Sequence, residues 1–150
     1  MVKSGEYMFI GEYSHSLDDK GRLAIPAKFR AALKGGAVVT KGLDNCLFIY
    51  TKKEWEKIAV RMAALPFNKA NDRALARHFL AGAMDVDFDT QGRINLPEYL
   101  RVFAGLKKKA IVAGLYNRLE VWDETSWNTY KKTTEKESNT IAEALEGLGA

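Results

Sequence analysis

The stretch F-I-G-E-Y-S-H-S-L-D-D-K-G-R-L-A-I-P-A-K-F-R, residues 9–30, decides the fold because a second copy follows in the same chain. That copy is L-A-G-A-M-D-V-D-F-D-T-Q-G-R-I-N-L-P-E-Y-L-R, residues 80–101, and six of the 22 aligned pairs are identical. The identical pairs are Gly11 and Gly82, Asp18 and Asp89, Gly21 and Gly92, Arg22 and Arg93, Pro26 and Pro97, and Arg30 and Arg101. A repeat of this kind is one supersecondary unit used twice, so the chain is predicted to be a tandem duplication.

The match between the copies continues beyond these stretches. One inserted residue later, Gly42 aligns with Gly114 and Trp55 aligns with Trp127. The predicted organisation is a first repeat at 8–55, linking helices at 56–79, a second repeat at 80–127 and a C-terminal helical tail at 128–150.

Each repeat has the pattern of short strands around a turn and a helix. Apolar and polar residues alternate over 9–17, as in a strand, and Asp-x-x-Gly then predicts a turn in which glycine takes positive φ. A short strand at 22–25 leads to Pro26, which suits the first turn of a helix over 27–33. Two further strands are predicted at 37–41 and 46–50. The predicted fold class is α+β, with two tandem β-hairpin-plus-helix copies forming one pseudo-twofold domain and additional linking and C-terminal helices.

Longer helices are predicted after each repeat. Thr51 and Glu54 have the spacing of a capping box, and Asp123 is placed to cap the helix after the second repeat. Pro66 is expected to end the first linking helix, and a second one is predicted at about 72–80.

The composition is typical of an ordinary globular protein, and the first half of the chain is basic. The chain has 150 residues, 47% of them hydrophobic and 28% charged, and its longest apolar runs are too short to span a bilayer. Residues 1–75 hold 13 Lys and Arg against 8 Asp and Glu, whereas residues 76–150 hold 10 against 11. A basic half is compatible with a nucleic-acid or phosphate partner. The single cysteine, Cys46, and the lack of a recognisable signal peptide favour a reducing cytosol.

The residue pattern does not favour catalysis. Asp18 and Asp89 could be paired carboxylates, but acid and base roles require environments that separate their pKa values, and the two repeats are alike. His15 and His78 do not align, and neither has further ligands at metal-binding spacing. We therefore expect no enzyme, no metal, no cofactor and no small-molecule substrate.

The doubled turn contains more than a turn requires. An aspartate that bonds its own backbone, followed by a glycine with positive φ, accounts for the turn-shaping residues Asp18, Gly21, Asp89 and Gly92. A turn does not require the arginine that follows in both copies, Arg22 and Arg93. Arginine presents a rigid fork of donors suited to phosphate or to guanine, and Lys20 stands beside Arg22.

The motifs also resemble a known family. The sequence M-F-I-G-E-Y-S-H-S-L-D-D-K-G-R-L-A-I-P-A-K-F-R, then G-L-D-N-C-L-F-I-Y, a second D-x-x-G-R and Y-N-R-L-E-V-W are similar to the bacterial MraZ family. More distantly, each copy resembles the AbrB-type swapped-hairpin domain, in which two interleaved copies form one domain.

This resemblance implies a DNA-binding transcriptional regulator of the bacterial division and cell-wall gene cluster. It implies binding of double-stranded DNA at direct repeats in the regulator's own promoter, a ring-shaped homo-oligomer, no membrane association, and a cytoplasmic location at the nucleoid. Carried onto this chain, it makes Arg22 the principal DNA contact, with Lys20 beside it and Arg93 as a weaker partner. Two departures are residues 1–7, which precede the usual family start, and the less basic second turn.

Two other classes of function remain open from the residues themselves. The turns of a ring-forming scaffold could bind an acidic protein partner, and RNA is a third possible ligand. An exposed aromatic stacking platform, which favours single-stranded RNA, is not evident in the sequence.

Overall fold

A computed structural model describes residues 8–145 and has the predicted α+β architecture. The strands are β1 Phe9–Ser16, β2 Arg22–Ala24, β3 Ala37–Lys41, β4 Leu47–Thr51, β5 Met84–Val86, β6 Arg93–Asn95, β7 Lys109–Tyr116 and β8 Leu119–Asp123. The helices are α1 Ala27–Arg30, α2 Lys52–Ala63, α3 Ala70–Ala76, α4 Glu98–Phe103, α5 Glu124–Lys136 and α6 Ser138–Glu143. A π-helical segment, Arg77–Ala81, continues α3.

The two copies exchange their first strands. Six strands form an antiparallel sheet in the order β1-β7-β8-β4-β3-β5, so β1 of the first copy pairs with β7 of the second. Reciprocally, β5 of the second copy pairs with β3 of the first. The remaining strands, β2 and β6, pair with each other as a separate antiparallel ribbon. The copies are therefore interleaved, as the resemblance implies.

The strand registers locate the pseudo-twofold axis. In the ribbon, Leu23 lies opposite Ile94, its equivalent in the other copy. At the centre of the sheet, Phe48 of β4 lies opposite Glu120 of β8, which is likewise its equivalent. A single axis through both pairs relates the two repeats, so the two turns lie in equivalent surroundings at the ribbon.

The main core lies between one face of the sheet and the ribbon with α1 and α4. Leu23 and Ile94 point into it from the ribbon and are essentially inaccessible to solvent. A second cluster, on the opposite face of the sheet, packs against side chains of α2 and α5. Since the ribbon buries one face in the core, its other face is directed outward.

Most predicted helix boundaries agree with the structure. The Thr51 hydroxyl accepts a hydrogen bond from the Glu54 amide at 3.1 Å, and the Asp123 carboxylate accepts one from the Ser126 amide at 3.1 Å. The helix expected over 27–33 is shorter, because α1 ends at Arg30 and the chain continues in tight turns. There Leu33 N–H donates to Arg30 C=O, three residues earlier, rather than in the α-helical pattern.

The ends of the chain are only partly described. Residues 1–7 and 146–150 lie outside the described residues. Within the described part of the tail predicted at 128–150, the chain is helical in α5 and α6 up to Glu143. Within residues 8–145, no helix is both long and apolar enough to cross a membrane.

Candidate nucleic-acid interface

The first turn is closed by the Asp18 side chain. Its Oδ1 accepts hydrogen bonds from the backbone N–H groups of Lys20 at 3.0 Å and Arg22 at 2.8 Å. Gly21 N–H donates to the Asp18 carbonyl at 3.0 Å, and Gly21 has φ of +82°. A Cβ at Gly21 would approach Arg101 Nε to 2.6 Å, so both the conformation and the space require glycine.

The second turn repeats this geometry. Asp89 Oδ1 accepts from the backbone N–H groups of Gln91 and Arg93, both at 2.9 Å. Gly92 has φ of +76°, and a Cβ there would overlap the guanidinium group of Arg30. The four residues interpreted as turn-shaping thus occupy equivalent places in the two turns.

In each turn the aspartate carboxylate also accepts a hydrogen bond from the arginine side chain. Arg22 Nε donates to Asp18 Oδ2 at 2.6 Å, and Arg93 Nε donates to Asp89 Oδ2 at 2.9 Å. Arg93 Nη1 additionally lies 3.6 Å from Asp18 Oδ2, so the first carboxylate contacts arginines of both copies. Because Nε donates to the aspartate in each case, the turn fixes the orientation of the guanidinium fork.

The aspartates are suited to orienting the arginines rather than to acid–base chemistry. The backbone N–H of Arg22, more than any other group, holds the pKa of Asp18 below its ordinary value. The backbone N–H of Arg93 lowers the pKa of Asp89 in the same way. Two carboxyl groups whose pKa values move in the same direction do not provide the protonated partner that general acid catalysis requires.

The ribbon brings both motifs onto one surface. Arg22 lies opposite Asn95 across the β2–β6 ladder, and Ala24 lies opposite Arg93. Alternate residues of a strand point to opposite faces, so these four share the outward face. The Arg22 and Arg93 side chains are 34% and 24% exposed. We call these four residues, with Lys20 and Gln91 at the turn tips, the ribbon surface.

The members of the ribbon surface outside the aspartate–arginine pairs are available for other contacts. Lys20, Gln91 and Asn95 are exposed, and within the described residues their side chains make no hydrogen bond or ion pair. The position of Asn95 on the ribbon surface was not predicted from the sequence, because only the pairing of β2 with β6 places it opposite Arg22. The repeat alignment gives a weaker indication of this position, because Asn95 aligns with Ala24 and the two copies therefore differ there.

Two further arginines cross between the copies. Arg30 of α1 lies against Gly92 of the second turn, and Arg101 of α4 lies against Gly21 of the first. Arg101 Nε donates to the Leu96 carbonyl at 3.0 Å, whereas Arg30 Nε is buried without a protein acceptor. Within the described residues neither arginine pairs with a carboxylate. Each turn is therefore packed against a cation that the other copy supplies.

The two histidines and the cysteine considered in the sequence do not come together in one site. Burial, followed by the charge of Arg30, lowers the pKa of His15, while His78 Nε2 lies 2.8 Å from the Gly42 carbonyl oxygen. Cys46 is buried, and burial raises the pKa of its thiol. Among residues 8–145, no cluster of three or more His, Cys, Asp or Glu side chains could hold a metal ion.

The interleaved α+β domain, with an Asp-x-x-Gly-Arg turn from each copy on one ribbon, resembles the swapped-hairpin class of proteins. Comparison with known proteins narrows this class. The family model "MraZ protein, putative antitoxin-like" matches the chain twice, at residues 8–78 and 79–147. The protein named Transcriptional regulator MraZ from Halothermothrix orenii is 45% identical over 142 residues, which cover 95% of this chain and 99% of that protein.

The chain therefore belongs to the MraZ family, as the sequence motifs predict. This is a family of transcriptional regulators and not of enzymes, which confirms the expectation that the protein is not an enzyme.

Proposed function

We propose that this protein is a sequence-specific regulator that binds double-stranded DNA through the ribbon surface. Arg22 is the principal contact, Lys20 lies beside it, and Arg93 is the second-copy contact. The observation that carries the proposal is the β2–β6 register, which puts both arginines on one outward face. Family membership supports it, since the relative is named a transcriptional regulator.

The shape and chemistry of the ribbon surface suit the major groove. A two-stranded β-ribbon fits that groove, and an arginine fork can bond the O6 and N7 atoms of guanine or the oxygens of a phosphate. Asp18 and Asp89 orient the forks and do not themselves contact DNA, because a carboxylate facing phosphate is repulsive. The turns thereby use their aspartates for geometry and their arginines for recognition.

One ribbon surface provides few contacts, so we further propose a ring of identical subunits. A few charged contacts give weak binding at cellular salt concentrations, and repeating them around an oligomer raises the avidity. Head-to-tail subunits match direct repeats on DNA better than dyad-related subunits do. The repeats would lie in the protein's own promoter, upstream of the division and cell-wall genes, with the protein in the cytoplasm at the nucleoid.

The test is a gel-shift titration of a promoter fragment over a range of salt concentrations. Wild-type affinity should fall linearly on a log–log plot, and Arg22→Ala should weaken binding by about 5- to 150-fold and flatten the slope by about one unit. Arg61→Ala, which removes an exposed arginine of α2, is the matched control and should bind like wild type. Equal binding by Arg22→Ala and Arg61→Ala would contradict the site assignment, and binding only to acidic proteins would favour the scaffold alternative.

A further inference from the structure

A cavity lies between α5 and the face of the sheet opposite the ribbon, and we call it the α5 cavity. Its volume is about 520 Å³, within the range of about 300–1,000 Å³ that small-molecule sites occupy. Three of its lining side chains are aromatic, namely Trp122 of β8 and Trp127 and Tyr130 of α5. The centroid of the Trp122 ring lies 5.3 Å from that of Trp127 and 5.0 Å from that of Tyr130. The cavity therefore has the size and the aromatic lining of a ligand site.

The two copies provide an internal comparison for this cavity. On the first-copy side of the sheet, Phe79 stacks on Phe48 with 6.1 Å between the ring centroids. Phe48 is the equivalent of Glu120, which lines the α5 cavity, and the residue equivalent to Phe79 is Met8. Met8 is 55% exposed and is not among the residues that line the cavity. The chain thus fills one of two equivalent spaces with its own aromatic ring and leaves the other open.

Two of the carboxylates that line the α5 cavity are already paired. Glu120 and Glu12 each accept one hydrogen bond from an indole N–H of the lining and one from a cation, Arg118 and Lys131 respectively. Each of the four oxygens therefore has a donor, so few acceptors are left for a ligand. The same bonds hold two indole rings in place.

Asp44 supplies the remaining charge of the α5 cavity. Its exposed carboxylate lines the cavity and makes no hydrogen bond or ion pair within residues 8–145. Asp44 and Asn45 have φ of +62° and +61°, as in a tight hairpin turn, so the backbone holds this side chain at a defined place. Because Glu12 and Glu120 are paired, one negative charge of the lining is left without a cation in the described part of the chain. This charge favours a cationic ligand.

We propose that the α5 cavity binds a small quaternary ammonium compound. A quaternary ammonium group binds the faces of tryptophan and tyrosine rings through cation–π attraction and needs no hydrogen-bond acceptor, which suits a lining whose other carboxylates are paired. Asp44 adds attraction for the positive charge. A metal ion suits the cavity less, because residues 8–145 contain no cluster of three or more His, Cys, Asp or Glu side chains that could hold one. This site is independent of the proposed DNA contact, since the cavity and the ribbon lie on opposite faces of the sheet.

The test is isothermal titration calorimetry of the full chain with choline, at a constant ionic strength. The uncharged isostere of choline, in which a carbon atom replaces the nitrogen, should bind about 2- to 30-fold more weakly, because only the charged probe gains the cation–π attraction. Trp127→Leu should weaken the binding of choline by a similar factor. The matched control is Trp55→Leu, which removes the equivalent tryptophan of α2 outside the cavity and should bind choline like wild type.

Asp44→Asn provides a milder change that leaves the aromatic lining intact. It should bind choline about 2- to 5-fold more weakly, and this loss should shrink as the salt concentration rises. Its binding of the uncharged isostere should equal that of wild type. Thermal unfolding checks that the two tryptophan variants are folded, and if Trp127→Leu is not, Asp44→Asn and the uncharged isostere carry the test.

The expected result is choline binding that Trp127→Leu and Asp44→Asn weaken and Trp55→Leu retains. Four outcomes would overturn the proposal: no binding of choline to wild type, equal binding of choline and its uncharged isostere, equal binding of choline by folded Trp127→Leu and Trp55→Leu, or an unchanged affinity for choline in Asp44→Asn.

Discussion

The two ends of the pseudo-twofold axis are built differently. At the ribbon, Leu23 faces Ile94, and two apolar side chains fill equivalent positions in the main core. At the centre of the sheet, Phe48 faces Glu120, a buried carboxylate that accepts hydrogen bonds from Arg118 at 2.9 Å and from Trp122 Nε1 at 3.0 Å. The two copies therefore have similar side chains at the axis beneath the two turns, and different side chains at the axis on the far side of the sheet.

The surroundings of Glu120 agree with this difference. The Arg118 guanidinium lies 4.7 Å from the centre of the Phe48 ring, so the polar residues of one copy pack on the apolar residue of the other. Glu120, Arg118 and Trp122 also line a cavity of about 520 Å³ that α5 borders with Trp127 and Tyr130. At the axis itself, the sheet end thus packs a polar pair on an aromatic ring, whereas the ribbon end packs two apolar side chains.

The largest predicted effect is at the ribbon end. Leu23→Ala should lower the free energy of unfolding by about 2–5 kcal/mol, because it leaves a cavity under a fully buried side chain. Ile94→Ala should cost a similar amount, since its position is equivalent. Chemical denaturation measures both, with the exposed Val60→Ala of α2 as the control. A loss no greater than that of the control would show that the ribbon is not part of the cooperative core.

A smaller effect is expected at the sheet end. Glu120→Ala should lower the free energy of unfolding by about 1–3 kcal/mol, because the Trp122 N–H loses its acceptor while Arg118 stays half exposed. Its affinity for DNA should remain that of wild type, since Glu120 lies on the opposite side of the sheet from the ribbon. Denaturation combined with a gel shift checks both statements. A fall in DNA affinity without loss of folded protein would show that the sheet end is coupled to the ribbon surface.

The smallest effect is a dependence on pH at the turns. The pKa values of Asp18 and Asp89 are lowered in the folded protein, so the stability that these carboxylates contribute is present above their unfolded pKa. It is lost as the pH falls through their folded pKa. The difference in unfolding free energy between wild type and Asp18→Asn should therefore shrink from about pH 6 toward about pH 2.

The same measurement on Asp89→Asn should give the same trend, because its hydrogen bonds are equivalent. Asp44→Asn is a suitable control, since within residues 8–145 the Asp44 carboxylate accepts no hydrogen bond. A difference between wild type and Asp18→Asn that is constant with pH would mean that the turn does not depend on the charged carboxylate.

Local features of the fold could be predicted from the sequence. Short-range periodicity and hydrogen bonding, which act over a few residues, predict the Asp-x-x-Gly turns, the strand at 37–41 and the caps at Thr51 and Asp123. The repeat alignment also gave the pseudo-twofold relation. The helix over 27–33 was predicted too long, because its periodicity does not reveal the tight turns after Arg30.

Long-range pairing could not be predicted from the residues alone. Nothing in the local pattern of β1 specifies β7 as its partner, and the exchange of strands came only from the family resemblance. For the same reason the sequence singled out Arg22 and Arg93 but not Asn95. Nor did it show that Arg30 lies against the turn of the other copy, because these contacts depend on the ribbon register.

Photo-crosslinking from the ribbon surface tests most directly whether this surface contacts DNA. A photo-reactive phenylalanine analogue at position 95, on the outward face, should crosslink to a promoter fragment, whereas the same group at position 60, exposed on α2, should not. Crosslinks from position 95 that disappear in the Arg22→Ala background would support the ribbon surface as the DNA contact. Crosslinks from position 60 with none from position 95 would contradict it.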